Sequence, residues 1–444
     1  MTLPPPPRLP SGLLTDHRGG GPLRNGAFRA LWVAATFSYV GTWVQDVGES
    51  WLMLSLTRSP LPVAMLTTSF TLPAFMLTLP AGVLADRFDR RKILLVAQSW
   101  MALVALGLAV VAWRGWVTPA VLLFAGASLG VGAAVTSPPW QSLLPDLVPR
   151  AQTAEAVTLN SVAFNIARAV GPALGGLVLG LAGPATAFAL NAASFLAVIE
   201  VLRRYPHIRA VAERAGAARR KEPLRKAIFV AFRQVRRSSH LRALYTAVAA
   251  FGLAASGVVA LLPVFAKNTL HTDARGYGVL LGAIGIGAVS AALLLRRLRA
   301  SFSARRLVPG AMVVYGAAML AMSLSRSLPL AAFLLVPAGA GWLSALSTTN
   351  ALVQLNAPAW AKSRILALYQ VCFLAAWSVG ATLAGVLATR YGAELTMALA
   401  AVGTLGAAVV SARVRLPSYD EGISNDAYES PPLSTPPPAA SRVL

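Results

Sequence analysis

The sequence predicts an all-α membrane protein with twelve transmembrane helices arranged as two parallel six-helix bundles. Three observations carry this. Of the 444 residues, 56% are hydrophobic and only 12% are charged, more apolar surface than a water-soluble core can enclose. Twelve apolar segments have the roughly 20 residues needed to cross about 30 Å of hydrocarbon. The Lys and Arg residues alternate from loop to loop as the positive-inside rule requires.

In chain order the segments are Phe28–Leu56, Val63–Ala85, Ile93–Trp113, Pro119–Leu143, Ala156–Leu179, Ala185–Leu202, Leu244–Ala266, Tyr277–Leu295, Leu307–Leu324, Leu328–Leu355, Ile365–Thr389 and Leu395–Val414. With the N-terminus inside, the cytoplasmic stretches hold 32 of the 39 Lys and Arg residues. The outer loops hold six, Arg29 and Arg413 at the cytoplasmic edges of their spans are counted with the inside stretches, and Arg168 is left inside a helix. A different helix count would scramble this alternation, so both termini are expected in the cytoplasm of a cell with a bacterial-type inner membrane.

Residues 1–27, rich in Pro, Gly and Arg, lack the apolar core and cleavage site of a signal peptide and read as a disordered cytoplasmic N-terminus. Residues 28–202 form the first bundle, 203–242 a basic cytoplasmic linker, 243–415 the second bundle and 416–444 a disordered tail. The halves echo each other. Gly126, Gln141 and Pro145 match Gly339, Gln354 and Pro358 at one offset, and Gly171 and Gly176 match Gly380 and Gly385 at a shorter one. Matching segments run the same way through the membrane, which makes this a parallel repeat.

Charge and polarity inside the spans mark the candidate site, because ionisable groups at hydrocarbon depth are costly. In helix one, Asp46 and Glu49 are three residues apart on one face and extend a stripe through Tyr39, Thr42 and Met53 that suits a water-filled cavity. Arg168, halfway along helix five with Ser161 and Asn165 on its side, lies at about the depth of Asp46, so an ion pair with Asp46 or Glu49 is expected. Gln141 in helix four and Trp342, Asn350, Gln354, Tyr369, Gln370 and Trp377 in the second half could hold an amphipathic or aromatic ligand by stacking and hydrogen bonding.

Other function classes find little support. The formal charge of +23 falls in short clusters between apolar runs rather than along one polar face, which argues against a nucleic-acid partner. The single cysteine, Cys372, has no ligand-spaced partner and reads as packing. The four histidines lie outside the spans. There is no phosphate-cradling Gly-rich loop and no H-E-x-x-H, so no enzyme, metal or cofactor is expected.

Between helices two and three stands Gly82-Val-Leu-Ala-Asp86-Arg87-Phe-Asp89-Arg90-Arg91-Lys92. Gly82 permits close helix approach, Asp86 can accept hydrogen bonds at a neighbouring helix N-terminus, and Arg87, Arg90, Arg91 and Lys92 anchor the loop inside. This run resembles the G-x-x-x-D-R-x-x-R-[RK] signature of the major facilitator superfamily, a resemblance that extends from Phe28 to about Arg415. The segments GTWVQDVGESWLMLSLTRSPLPVAML and LNSVAFNIARAVGPALGG resemble the branch that includes enterobactin exporters and macrolide efflux proteins. Gly171, Pro172, Gly175 and Gly176 resemble the glycine-proline pattern of exporters, where small residues allow tight packing and a bend.

The resemblance implies a monomeric secondary transporter in the lipid bilayer. It would export a small amphipathic molecule, siderophore-like or drug-like, by proton antiport and alternating access. In that picture, protonation of a helix-one carboxylate weakens its pairing with Arg168. An importer of the same fold and a non-transporting binding or regulatory protein are the alternatives. Two departures bear on the coupling. No arginine stands at Gly126, where related antiporters often carry one in helix four, and Trp377 replaces Arg168 in the repeat.

Overall fold

In the computed structural model, residues 21–205, 224–358 and 361–417 are described. The far ends of both expected tails, and the first part of the linker, lie outside them. A 3₁₀ turn, Pro22–Arg24, leads into α1 (Gly26–Leu56), which is followed by α2 (Pro60–Arg87), α3 (Arg90–Trp113) and α4 (Pro119–Asp146). A second 3₁₀ turn, Arg150–Gln152, precedes α5 (Thr153–Arg204). Then come α6 (Leu224–Arg237), α7 (Ser239–Asn268), α8 (Ala274–Ser301), α9 (Ala304–Ser323), α10 (Leu328–Asn356), α11 (Lys362–Tyr391) and α12 (Ala393–Arg413).

The helix starts follow local chemistry. Asn25 accepts hydrogen bonds from the backbone N–H groups of Ala27 and Phe28, and Asp273 from those of Arg275 and Gly276, so each satisfies two of the donors that an α-helix leaves open at its first turn. The 52 residues of α5 form two helical limbs, each long enough for one crossing. α5 breaks at Gly183, whose φ of 77° only glycine adopts without strain, and the following Pro184 starts the second limb. The two limbs correspond to expected helices five and six.

Among the described residues, ten helices are long and apolar enough to cross a membrane, α5 counted once. α1 is 31 residues long, but Gln45, Asp46 and Glu49 dilute its apolar character. With α1 and both limbs of α5, twelve rods span the membrane. α6 is additional and lies inside the stretch expected to be only a linker. It buries Ala231, Gln234 and Val235 and exposes Phe229, Phe232, Arg233, Arg236 and Arg237, the pattern of a helix lying at an interface.

Within the first bundle α1 packs along α5, α2 on α4, and α3 on α4 and α5. Within the second, α8 and α9 pack on α10, and α7 packs on α11 and α12. The bundles meet chiefly at α5 with α8 and at α2 with α11. These contacts gather toward the end of the molecule away from the α2–α3 loop. Thr68 and Thr71 hydrogen-bond to Ser378 and Thr382, Lys267 Nζ donates to the Leu54 carbonyl at 2.8 Å, and Trp51 stacks on Tyr277.

At the α5–α8 crossing the backbones nearly touch. A Cβ added at Gly176 would lie 2.6 Å from the Ala274 carbonyl oxygen and 3.2 Å from the Gly278 Cα. Glycine at 176 therefore permits the bundles to close at this end.

Candidate functional site: an acidic cavity inside the first bundle

A cavity of about 400 Å³ opens inside the first bundle, within the size range of small-molecule sites. Its wall includes Tyr39, Thr42, Gln45, Asp46 and Glu49 of α1, Phe70 of α2, Gln98 and Met101 of α3, and Thr136, Ser137, Trp140 and Gln141 of α4. Asn160, Phe164, Asn191 and Phe195 of α5 complete it. All the lining residues come from the first half, and none is basic. The cavity spans the middle of the bundle and the half toward the α2–α3 loop, opposite the end where the bundles close.

The acids are held differently. Asp46 is exposed to the cavity, whereas Glu49 is buried at 7% exposure. Glu49 Oε1 accepts a 2.7 Å hydrogen bond from Gln45 Nε2, Gln45 Oε1 accepts one of 2.6 Å from Asn191 Nδ2, and Ser194 Oγ donates to Asn191 at 3.0 Å. This chain of buried amides ties α1 to the second limb of α5, and in a low-dielectric interior such a network is costly to leave half satisfied. At the wider end, Tyr39 OH and Trp140 Nε1 both donate to Asn160 Oδ1, and Tyr39 meets Phe164 edge-on at 5.4 Å.

The expected ion pair of Arg168 with Asp46 or Glu49 is not formed among the described residues. The guanidinium of Arg168 lies instead over the ring of Trp342, 5.5 Å from its centroid, and so reaches into the second bundle. α5 turns Arg168 toward the bundle interface, while the acids of α1 face the cavity within the first half, a rotation about the helix axes that depth alone cannot reveal.

Of the other expected cavity residues, Tyr39, Thr42 and Gln141 line the pocket. Asn165 does not; its Nδ2 donates to the Ser161 carbonyl one turn back. Trp342 and Trp377 are buried and pack 5.0 Å apart in an aromatic cluster with Phe251, Tyr315 and Phe373, so they fill the core of the second bundle rather than line this cavity. Tyr369 is also buried, its hydroxyl 2.8 Å from that of Thr349. Asn350 accepts from Gln354 at 2.8 Å, and Gln354 and Gln370 are exposed along spanning helices of the second half. Sequence reasoning missed Gln45, Gln98, Asn160 and Asn191; lone amides in otherwise apolar spans were the available signal.

In the signature stretch, Gly82, Asp86 and Arg87 belong to α2, but the surroundings of Gly82 and the side chains of Asp86 and Arg87 lie outside what is described. Asp89 caps α3, accepting from Arg91 N at 2.8 Å. Arg91 Nε donates to the Leu202 carbonyl at 2.7 Å, Arg90 is buried and Lys92 is exposed. Of the glycine-proline pattern, Gly171 and Gly175 face Trp43 and Val44 of α1, whereas Pro172 and Gly176 face Gly278 of α8. Within α5 the backbone leaves helical angles at Gly183, not at Pro172, so the pattern serves close packing on two sides and the bend lies further along.

Two helical bundles joined at one end, with a polar cavity reaching toward the other, define a polytopic membrane transporter. Comparison makes this specific: the chain belongs to the major facilitator superfamily, where the transmembrane secretion effector family matches residues 19–439. It is 28% identical over 405 residues to an enterobactin exporter of Citrobacter koseri, covering 86% of this chain and 90% of that protein. It is 27% identical over 261 residues to the staphyloferrin A transporter of Staphylococcus aureus. That match covers 58% of this chain and spans 64% of the relative, just under two thirds of its length. Among solved structures, a bacterial homologue of the human lysosomal transporter Spinster shares the fold with a TM-score of 0.66 at 15% identity, covering 88% of this chain and 97% of that one.

Proposed function

We propose that the protein is a secondary active exporter of a small amphipathic molecule, siderophore-like or drug-like, driven by proton antiport. It works as a monomer in the inner membrane with both termini in the cytoplasm. The observation that carries this reading is the one-ended closure of the bundles. The contacts of Gly176, Thr68, Thr71, Trp51 and Lys267 lie at the end assigned to the outside by the Lys and Arg distribution, and the cavity reaches toward the opposite, Arg-rich end. This is the geometry of a loading state open to the cytoplasm, and a similarity to siderophore transporters supports the size and polarity of the cargo.

Coupling falls to the acids of α1. Ionised Glu49 receives a charge-assisted hydrogen bond from Gln45, and protonation reduces it to an ordinary one, a difference of about 1 kcal/mol. That loosens the link from α1 to the second limb of α5 and biases the bundles toward another packing. The test is flux into inverted membrane vesicles with an imposed pH gradient. Glu49→Gln and Asp46→Asn are expected to abolish the dependence of flux on the gradient. Native gradient dependence in both variants refutes the coupling, and accumulation in cells that rises on expression refutes export.

A further inference from the structure

The basic helix α6 leaves one face uncovered. Its 14 residues include Arg225, Lys226, Arg233, Arg236 and Arg237 and no acid. Phe229, Phe232, Arg233, Arg236 and Arg237 follow the i, i+3, i+4, i+7, i+8 spacing that gathers side chains into one helical stripe. All five are exposed, the two phenylalanines at 62% and 52%, and among the described residues no acid pairs with the three arginines. The opposite side is fixed. Ala231 and Val235 are buried in the hydrophobic cluster that holds Leu241 and Leu244 of α7 and Ile365 of α11. Ser238 caps α7 by accepting from Leu241 N, and Arg242 Nη1 donates to the Arg236 carbonyl at 3.0 Å, so α6 meets α7 at a set elbow. α6 also touches α2 of the first bundle. It lies at the same end as the α2–α3 loop, because the far end of α7 reaches the closed end of the molecule through Lys267 and Leu54.

We propose that the exposed stripe of α6 binds anionic phospholipid headgroups at the bilayer surface, with Phe229 and Phe232 at the acyl boundary and Arg233, Arg236 and Arg237 on the phosphates. In water the stripe would leave two phenylalanine rings solvated, and in hydrocarbon it would strip three guanidinium groups of their hydration. The headgroup layer accommodates both, since the rings sit below it while the long arginine side chains reach out to phosphate. Depth is set by the elbow: α7, a spanning helix, begins at Ser239, two residues after α6 ends. Preference for anionic lipid follows from the uncompensated charge. A zwitterionic leaflet has no net charge to attract it, whereas an anionic one draws each arginine within a Debye length of the surface. The site uses neither the cavity nor the closed end, so it stands or falls separately from export.

The experiment uses the full-length protein in phosphatidylcholine nanodiscs, with Cys372→Ser as background and a bimane fluorophore attached through Phe229→Cys or Ser239→Cys. Ser239 is exposed beside α6, and its replacement leaves the stripe intact. At position 229, acrylamide in the buffer is expected to quench the bimane at no more than about a third of its rate for free bimane-cysteine. A rate close to that of the free dye puts the stripe in water, as docking of a soluble protein would require, and overturns the proposal. At position 239, a trace of phosphatidylglycerol with a nitroxide at the top of its acyl chain is expected to quench about threefold or more as strongly as the same fraction of nitroxide phosphatidylcholine. A ratio near one overturns the proposal, and this comparison keeps α6 unaltered, so it does not depend on a variant folding. In the Arg233→Gln, Arg236→Gln, Arg237→Gln variant the ratio is expected to fall to about one, whereas Arg233→Lys, Arg236→Lys, Arg237→Lys should largely keep it. An unchanged ratio in the glutamine variant assigns the selectivity to another basic loop and also overturns the proposal.

Discussion

Replacing Gly176 with alanine adds a methyl group where α5 crosses α8. The added Cβ would lie 2.6 Å from the Ala274 carbonyl oxygen, whereas ordinary contact begins at 3.4 Å, so roughly 0.8 Å of separation is required. The neighbours are backbone atoms and cannot rotate away. Forced overpacking of this kind costs about 1–3 kcal/mol, and the cost falls only on the state in which the bundles touch here. The population of that state relative to its alternative therefore drops about five- to 150-fold. Cysteine labelling reads this shift: Cys372, the single native cysteine, is replaced by serine, and Ser378, 4% exposed at the α2–α11 contact, is replaced by cysteine. In Gly176→Ala the rate of modification by a membrane-impermeant maleimide added from outside is expected to rise at least fivefold. A native labelling rate would refute the claim that this crossing holds shut the end proposed to face outside.

Two further outcomes follow from the contacts. Trp342→Ala removes the centre of the aromatic cluster and the ring beneath Arg168, so thermal unfolding in detergent is expected to show a loss of about 3–5 kcal/mol; Trp342→Phe, which keeps a ring, should lose much less. Arg326 in the α9–α10 loop pairs with Glu394 through two hydrogen bonds, one of 2.9 Å from Nη2 to Oε2. These bonds raise the Arg326 pKa further above its ordinary value. The group stays charged as pH rises, so alkaline titration should not break the pair. The residues are exposed, so Arg326→Gln is expected to leave the melting midpoint close to native, with any difference vanishing at high salt. A large midpoint loss that persists in high salt would mean the loop contributes more than a solvated ion pair.

The sequence alone determined the membrane class, the helix order and the line of polar residues in α1. Hydrophobic length and loop charge are local properties, and the bilayer converts them directly into topology. It also separated expected helices five and six between Leu179 and Ala185, and α5 breaks within that gap at Gly183. Local reading stopped short at α6, because a basic amphipathic helix looks like a charged linker when only apolar length is sought.

The partners of Asp46, Glu49 and Arg168 belong to tertiary structure. Similar depth in the membrane suggested an ion pair, but the rotation of each helix about its axis sends the acids into the first bundle and the arginine toward Trp342. The same rotation buries Trp377 and leaves Gln370 exposed, although both are plausible cavity residues by composition. Gln98 and Asn191 lie 93 residues apart in the chain and meet at one cavity only because α3 and the second limb of α5 pack together. Which face of a helix meets which neighbour is fixed by packing over the whole bundle, and that information is distributed along the chain rather than written at any one residue.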